Sequence, residues 1–250
     1  MAKLGTLRWM RETHGKLGLL DRLRMIAQGV RARAALRRSS GQRYVGLSRN
    51  VDEILPPDGA VARAALAMCE ADSPRFLFLH SMRSYFWARL LDDGSVRYDD
   101  EALFAAVMLH DMGLTNAHRL VGETEHCFTV VGAQMVRDLA LKHHWDERRA
   151  DLAAEAITLH LNVIVDSRDG QEAKMLRAGS GADVAGLGVD GLCREHVRSV
   201  CSRFPRENLS ADVTRVLARE AQERPRGRLA FLNRSLGFLD LIRGTEAFKD

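Results

Sequence analysis

Apolar positions recur along most of this chain at the three-to-four-residue spacing of an amphipathic helix, and no convincing period-two alternation marks a strand. The spacing predicts helices over residues 60–70 (Ala-rich), 74–91 (opened by Pro74, a tolerated helix-start residue), 100–112, 124–143 and 147–161. β-Branched clusters such as Val163-Ile164-Val165 are short, so the expected fold class is all-α. The pattern centres on the run Val107-Met108-Leu109-His110-Asp111-Met112-Gly113-Leu114-Thr115. Asp99, Asp100 and Glu101 supply the cap and acidic first turn of its helix, and Gly113 is suited to ending it. Leu103, Val107 and His110 share one face, so the imidazole is expected to point inward with the leucine and the valine.

Around this block the chain changes character three times. Leu19, Leu23, Ile26 and Val30 lie near one face of a helix that also carries Arg22, Arg24, Arg31, Arg33, Arg37 and Arg38, and Ser39-Ser40-Gly41 breaks it. Leu55-Pro56-Pro57-Asp58-Gly59 reads as a turn or linker, dividing a basic arm (1–54) from a main domain (55–250). The segment Ser180-Gly181-Ala182-Asp183-Val184-Ala185-Gly186-Leu187-Gly188 reads as a Gly-rich loop, without the spacing or the Lys-Ser/Thr ending of a phosphate-binding loop. Past residue 195, an amphipathic helix around Val213, Val216, Leu217 and Glu220, punctuated by Pro205 and Pro225, is expected to be scaffold.

Composition bounds this picture. At 250 residues, 46% hydrophobic and 28% charged, the chain can bury a sizeable core, and it has no apolar run long enough to span a bilayer. Its four cysteines, Cys69, Cys127, Cys193 and Cys201, form no CxxC pair and no secretory signal precedes them, so a reducing, cytoplasmic setting is expected; in a eukaryote the Arg-rich start would suit mitochondrial import. The net charge of +4 is concentrated in the first fifty residues, where only Glu12 and Asp21 oppose the lysines and arginines. Such an arm suits an anionic membrane surface, a second subunit or the body of the protein itself. With no aromatic residues interleaved between Leu17 and Arg38, it is a poor partner for single-stranded nucleic acid.

The chemistry lies in the histidines. His80 follows Phe76-Leu77-Phe78-Leu79, His110 ends the central helix, His126 opens the next, and His160 closes a face formed by Ala153, Ala156 and Ile157. His118, His143 and His144 sit in polar surroundings and are assigned to the surface. One buried imidazole beside a carboxylate is ordinary core chemistry. Four in one helical domain, with Asp111 adjacent to one of them and Asp183 in the Gly-rich segment, form the nitrogen and oxygen donor set of zinc, iron or manganese.

The order His80, His110-Asp111, Asp183 resembles the H…HD…D signature of the HD-domain superfamily. Further blocks resemble its cyanamide hydratase-like branch: His80-Ser81-Met82-Arg83-Ser84-Tyr85, Phe128-Thr129-Val130-Val131-Gly132-Ala133, Ala156-Ile157-Thr158-Leu159-His160 and Gly181-Ala182-Asp183-Val184-Ala185-Gly186. Phe204-Pro205-Arg206 and Arg224-Pro225 are similar to that group's C-terminal region. The resemblance implies an HD-type helical bundle with His80, His110, Asp111 and Asp183 as ligands of one divalent ion, zinc first. It also implies that His160 or His126 moves a proton or, in a dinuclear variant, binds a second ion. Where the branch has an acidic residue after the phenylalanine of its F-x-x-x-G-A block, this chain has Thr129, which puts cyanamide itself in question.

Two enzyme classes follow, with one alternative. The first is a hydratase adding metal-activated water to a small nitrile-type substrate, with Arg83 fixing the substrate or pairing structurally, and Thr115 bonding the substrate or capping a turn. The second is a phosphohydrolase acting on a nucleotide or other phosphate ester, which needs cations near the metal; only Arg83 and Arg89 are expected close to the core. A di-iron oxygenase is a further enzyme reading, and a non-enzymatic, metal-stabilised binding module is the remaining alternative.

Overall fold

The computed structural model describes residues 2–39, 50–122 and 127–248, and of residues 35–39 only the backbone. It contains twelve α-helices among the described residues: α1 (Leu7–Thr13), α2 (Leu19–Ser39), α3 (Ala60–Asp72), α4 (Arg75–Leu90), α5 (Asp100–Leu109), α6 (Phe128–Lys142), α7 (Glu147–Leu159), α8 (Gln171–Ala185), α9 (Arg194–Arg203), α10 (Leu209–Glu223), α11 (Arg228–Leu236) and α12 (Phe238–Arg243). No β-sheet occurs among those residues; the one β-type pairing is an isolated bridge between Lys16 and Gly227. The all-α expectation therefore holds as a helical bundle.

α5 is the axis. Asp99 caps it by accepting from the Ala102 N–H at 3.0 Å, and every residue from Ala102 to Leu109 is buried, the pattern of a helix surrounded by others. α3, α4, α6, α7 and α8 pack around it. α5 stops at Leu109, ahead of the expected Gly113, and a short 3-10 turn (Met112–Leu114) follows. At that end the His110 ring donates from Nδ1 to the Val107 carbonyl at 2.7 Å, satisfying one of the last acceptors of the helix. α7 ends in the same way, with His160 Nδ1 donating to the Ile157 carbonyl at 2.6 Å.

The expected Gly-rich loop is instead the last two turns of α8, which runs through Gly179 and Gly181 to Ala185. Glycine weakens a helix in isolation, but a Cβ at Gly179 would stand 2.1 Å from the Ser84 carbonyl oxygen of α4. The missing side chain is what lets α8 lie against α4, and tertiary packing overrides propensity. Only Gly186 and Gly188, both at positive φ, form the turn. Gly132 plays a similar part in α6, where a Cβ would meet the Leu109 carbonyl at 2.3 Å.

A second apolar cluster joins α1 and α2 to α10, α11 and α12 through Trp9, Met10, Met25, Val213, Leu229 and Ile242. α1 is thus tied to the body: Trp9 and Met10 are buried and α1 packs on α7. α2 packs with Met25 and Gly29 buried, so its apolar stripe of Leu19, Leu23, Ile26 and Val30 faces outward. No helix is long and apolar enough to cross a membrane among the described residues.

Candidate metal centre

α4, α5, α7 and α8 bring His80, His110, Asp111, His160 and Asp183 together in the interior, all of them buried. Ligand atoms of His80, His110 and Asp111 all lie within 4.8 Å of one another. His80 Nε2 is 3.3 Å from His110 Nε2 and 3.6 Å from Asp111 Oδ2, and His110 Nε2 is 3.4 Å from the same oxygen. His160 Nε2 stands 4.0 Å from the other Asp111 oxygen, Oδ1.

The tautomers follow from the other ring nitrogens. The Nδ1 atoms of His110 and His160 face backbone carbonyls, which only accept, and His80 Nδ1 faces the Asp183 carboxylate at 2.7 Å. Each Nδ1 therefore carries a proton, and the Nε2 atoms of all three rings turn toward Asp111. Burial depresses the His110 pKa against the pull of Asp111, and burial with the neighbouring His110 pushes His160 down to about 3, so both rings are neutral near pH 7. The lone pairs of His110 and His160, the Nε2 of His80 and a carboxylate then converge, and among the described residues no hydrogen bond reaches the Asp111 side chain. Buried acceptors facing one another are unfavourable unless a cation lies between them. The spacing suits one: two atoms each bonded about 2.1 Å from a tetrahedral ion stand about 3.4 Å apart. The residues present therefore fit a divalent metal ion.

Asp183, which the resemblance implies as a further ligand, lies outside the His80, His110 and Asp111 group. Its Oδ1 accepts from Arg83 Nε at 2.7 Å, Trp87 Nε1 at 2.9 Å and Arg206 Nη1 at 2.9 Å, while Oδ2 accepts from Arg83 Nη2 at 3.0 Å and His80 Nδ1 at 2.7 Å. Burial alone would raise its pKa, but Arg83, His80 and Arg206 outweigh that and hold it well below the usual carboxylate range. Both oxygens are thus engaged, and the Oδ2 contact places the Nδ1 proton and the orientation of His80.

The expected substrate contacts are placed elsewhere. The Arg83 guanidinium is fully buried and also donates to the Phe204 and Pro205 carbonyls at 3.1 and 2.7 Å, the structural pairing role. The Thr115 hydroxyl donates to the Met112 carbonyl and accepts from the His118 N–H, capping a turn, and Thr115 does not line the cavity. Arg89 is bonded to Tyr85 and Asp100, away from the cavity walls. His126 lies outside the described residues. Thr129 is buried, and its hydroxyl accepts from Arg228 at 3.1 Å.

A cavity of about 180 Å³ opens onto His80, His110, Asp111 and His160. Its walls are mostly apolar, from Phe128, Leu161, Val184, Val213, Leu217 and Leu232 among others, with Arg33 and Arg177 as the cations among the described residues. The Arg177 pKa is lowered by burial, and among the described residues its one hydrogen bond is to the Val163 carbonyl at 2.8 Å. Sequence reasoning assigned α10 to scaffold, yet Val213 and Leu217 line this cavity. Trp87 was legible, lying one turn beyond Arg83 on the face of His80; Arg177 carries no local signal.

No protein-family model matches this chain, and no curated protein does either, so the geometry of the site carries the functional reading.

Proposed function

We propose that this protein is a metal-dependent hydrolytic enzyme of the HD superfamily, closest to its cyanamide hydratase-like branch, that adds water to a nitrile-type carbon on an organic substrate with an apolar body. The observation that carries it is the convergence of the Nε2 atoms of His80, His110 and His160 on the Asp111 carboxylate at the end of an apolar cavity. His80, His110 and Asp111 would hold the ion, with zinc first and iron or manganese as the other candidates for this donor set. A bound divalent ion supplies Lewis acidity, bringing the pKa of water toward neutrality and polarising an electrophile.

The chain's own residues do the rest. Asp183, clamped by Arg83, Arg206 and Trp87, keeps His80 in one tautomer and one orientation. His160 stands one step further from the cluster and lines the cavity, with Nε2 unprotonated, so it is placed to accept a hydrogen bond from the attacking water and orient it toward the nitrile carbon. The leucine, valine and phenylalanine walls exclude bulk water and favour an apolar substrate body over cyanamide itself.

A second reading, a phosphohydrolase, is favoured by one observation: Arg177 and Arg33 both line the cavity, and neither has a carboxylate partner among the described residues. The test is turnover by zinc-, iron- and manganese-loaded protein on nitriles of increasing chain length and on phosphate esters, alongside His160→Gln. Nitrile hydration that improves with chain length and drops about 10²-fold or more in His160→Gln, with metal content unchanged, is expected. Turnover of phosphate esters alone transfers the assignment to the second reading. Metal-loaded protein inert on both classes overturns both.

A further inference from the structure

The outward stripe of α2 leaves four large apolar side chains in contact with solvent. Leu19 is 74% exposed, Leu23 55%, Ile26 43% and Val30 63%. At about 100° per residue these four fall within a sector of about 60°. Arg22 and Arg33 lie on one flank of that sector and Arg24 and Arg31 on the other, all exposed. The single acid of the helix, Asp21, is turned inward and accepts from Trp9 Nε1 at 3.2 Å. An apolar ridge bordered on both sides by cations, with no outward acid, matches a surface that is apolar beneath and anionic at its rim.

The ridge adjoins the mouth of the cavity. Gly29, Ala32 and Arg33 of α2 line the cavity, as does Leu241 of α12, which is itself 46% exposed. Arg33, one flank of the ridge, also donates to the Leu236 carbonyl at 3.2 Å, tying α2 to the end of α11. We infer that α2 is an interfacial helix that seats this protein on an anionic lipid bilayer, with the cavity mouth against the membrane. The helix lies on the surface without spanning it, consistent with its arginines and with the absence of a membrane-crossing helix among the described residues. The inference stands apart from the metal reading, since it rests on α2 and on the position of the mouth.

The test is flotation of the purified full chain, treated with chelator so that no activity enters the readout. The probes are phosphatidylcholine vesicles and phosphatidylcholine mixed with phosphatidylglycerol, and circular dichroism checks that each variant is folded. Binding to the anionic vesicles is expected at about 0.1 M salt, falling by about tenfold or more at about 0.5 M. Leu23→Glu and Ile26→Glu are each expected to weaken it by about tenfold or more, and Leu241→Glu by a few-fold. Val121→Glu, at an exposed apolar residue outside α2 and the cavity, is expected to leave it unchanged. Absence of flotation at low salt overturns the inference, as does equal loss in Val121→Glu. A concentration-dependent dimer that Leu23→Glu dissociates overturns it in favour of a second copy of the chain.

Discussion

Two aspartates buried within one site have opposite surroundings. Asp183 accepts five hydrogen bonds, from two arginines, a tryptophan and a histidine, and is held ionised by them. Among the described residues, Asp111 faces the Nε2 atoms of His80, His110 and His160, and it accepts no hydrogen bond from a side chain. The first is a charge the protein neutralises by itself; the second is a charge arranged for a cation that the fold does not supply. A carboxylate at the centre of a histidine cluster is thus structural or ligating according to what its oxygens already accept, and burial alone does not distinguish the two.

Removing each carboxylate should therefore have opposite consequences for the metal-free protein. Asp183→Ala leaves Arg83 and Arg206 without their shared partner, and is expected to cost about 3–5 kcal/mol in urea unfolding. Gly179→Ala attacks the same side indirectly: the new Cβ pushes α8 from the Ser84 carbonyl and lengthens the Asp183 contacts to α4. About 1–3 kcal/mol of destabilisation is expected, read from the thermal midpoint.

The Asp111 side responds to pH. His160 is depressed to about 3 when folded, against about 6.5 unfolded, so between those values the unfolded chain binds the extra proton. Stability from this group is complete above about pH 6.5 and is lost as pH falls toward 3, with a slope of at most about 1.4 kcal/mol per pH unit. Unfolding curves of chelator-treated protein across that window should show it, and His160→Gln should flatten it. Asp111→Asn has the smallest expected effect on the chelated protein, and the opposite sign to Asp183→Ala. It removes a charge that faces lone pairs and is expected to stabilise by about 1 kcal/mol in the same unfolding assay.

Much of this was legible in the sequence, and the gaps have physical causes. Helix periodicity located α3 to α7 to within a few residues, and the Asp99 cap was readable because capping is local. His80 faces inward from α4, and His110, Asp111 and His160 follow directly on the inner ends of α5 and α7, so the four converge. What was not legible depends on distant parts of the chain. The α8 glycines resembled a loop because only the approach of α4 explains them. The carboxylate of Asp183 could not be assigned as ligand or support without Arg206, which arrives from beyond α9. The stripe of α2 was visible as a stripe, but its outward direction was not: Met25 and Gly29, which pack inward, are no more apolar than the leucines that remain outside.

The most direct test of the central claim is metal content. Elemental analysis of purified protein equilibrated with zinc, manganese or iron and then dialysed, alongside Asp111→Asn and Asp183→Asn, separates the two aspartates. The account predicts about one ion per wild-type chain, loss in Asp111→Asn, and retention in Asp183→Asn with affinity weakened about 10- to 100-fold. No bound ion in wild-type protein, or full occupancy surviving in Asp111→Asn, would contradict it.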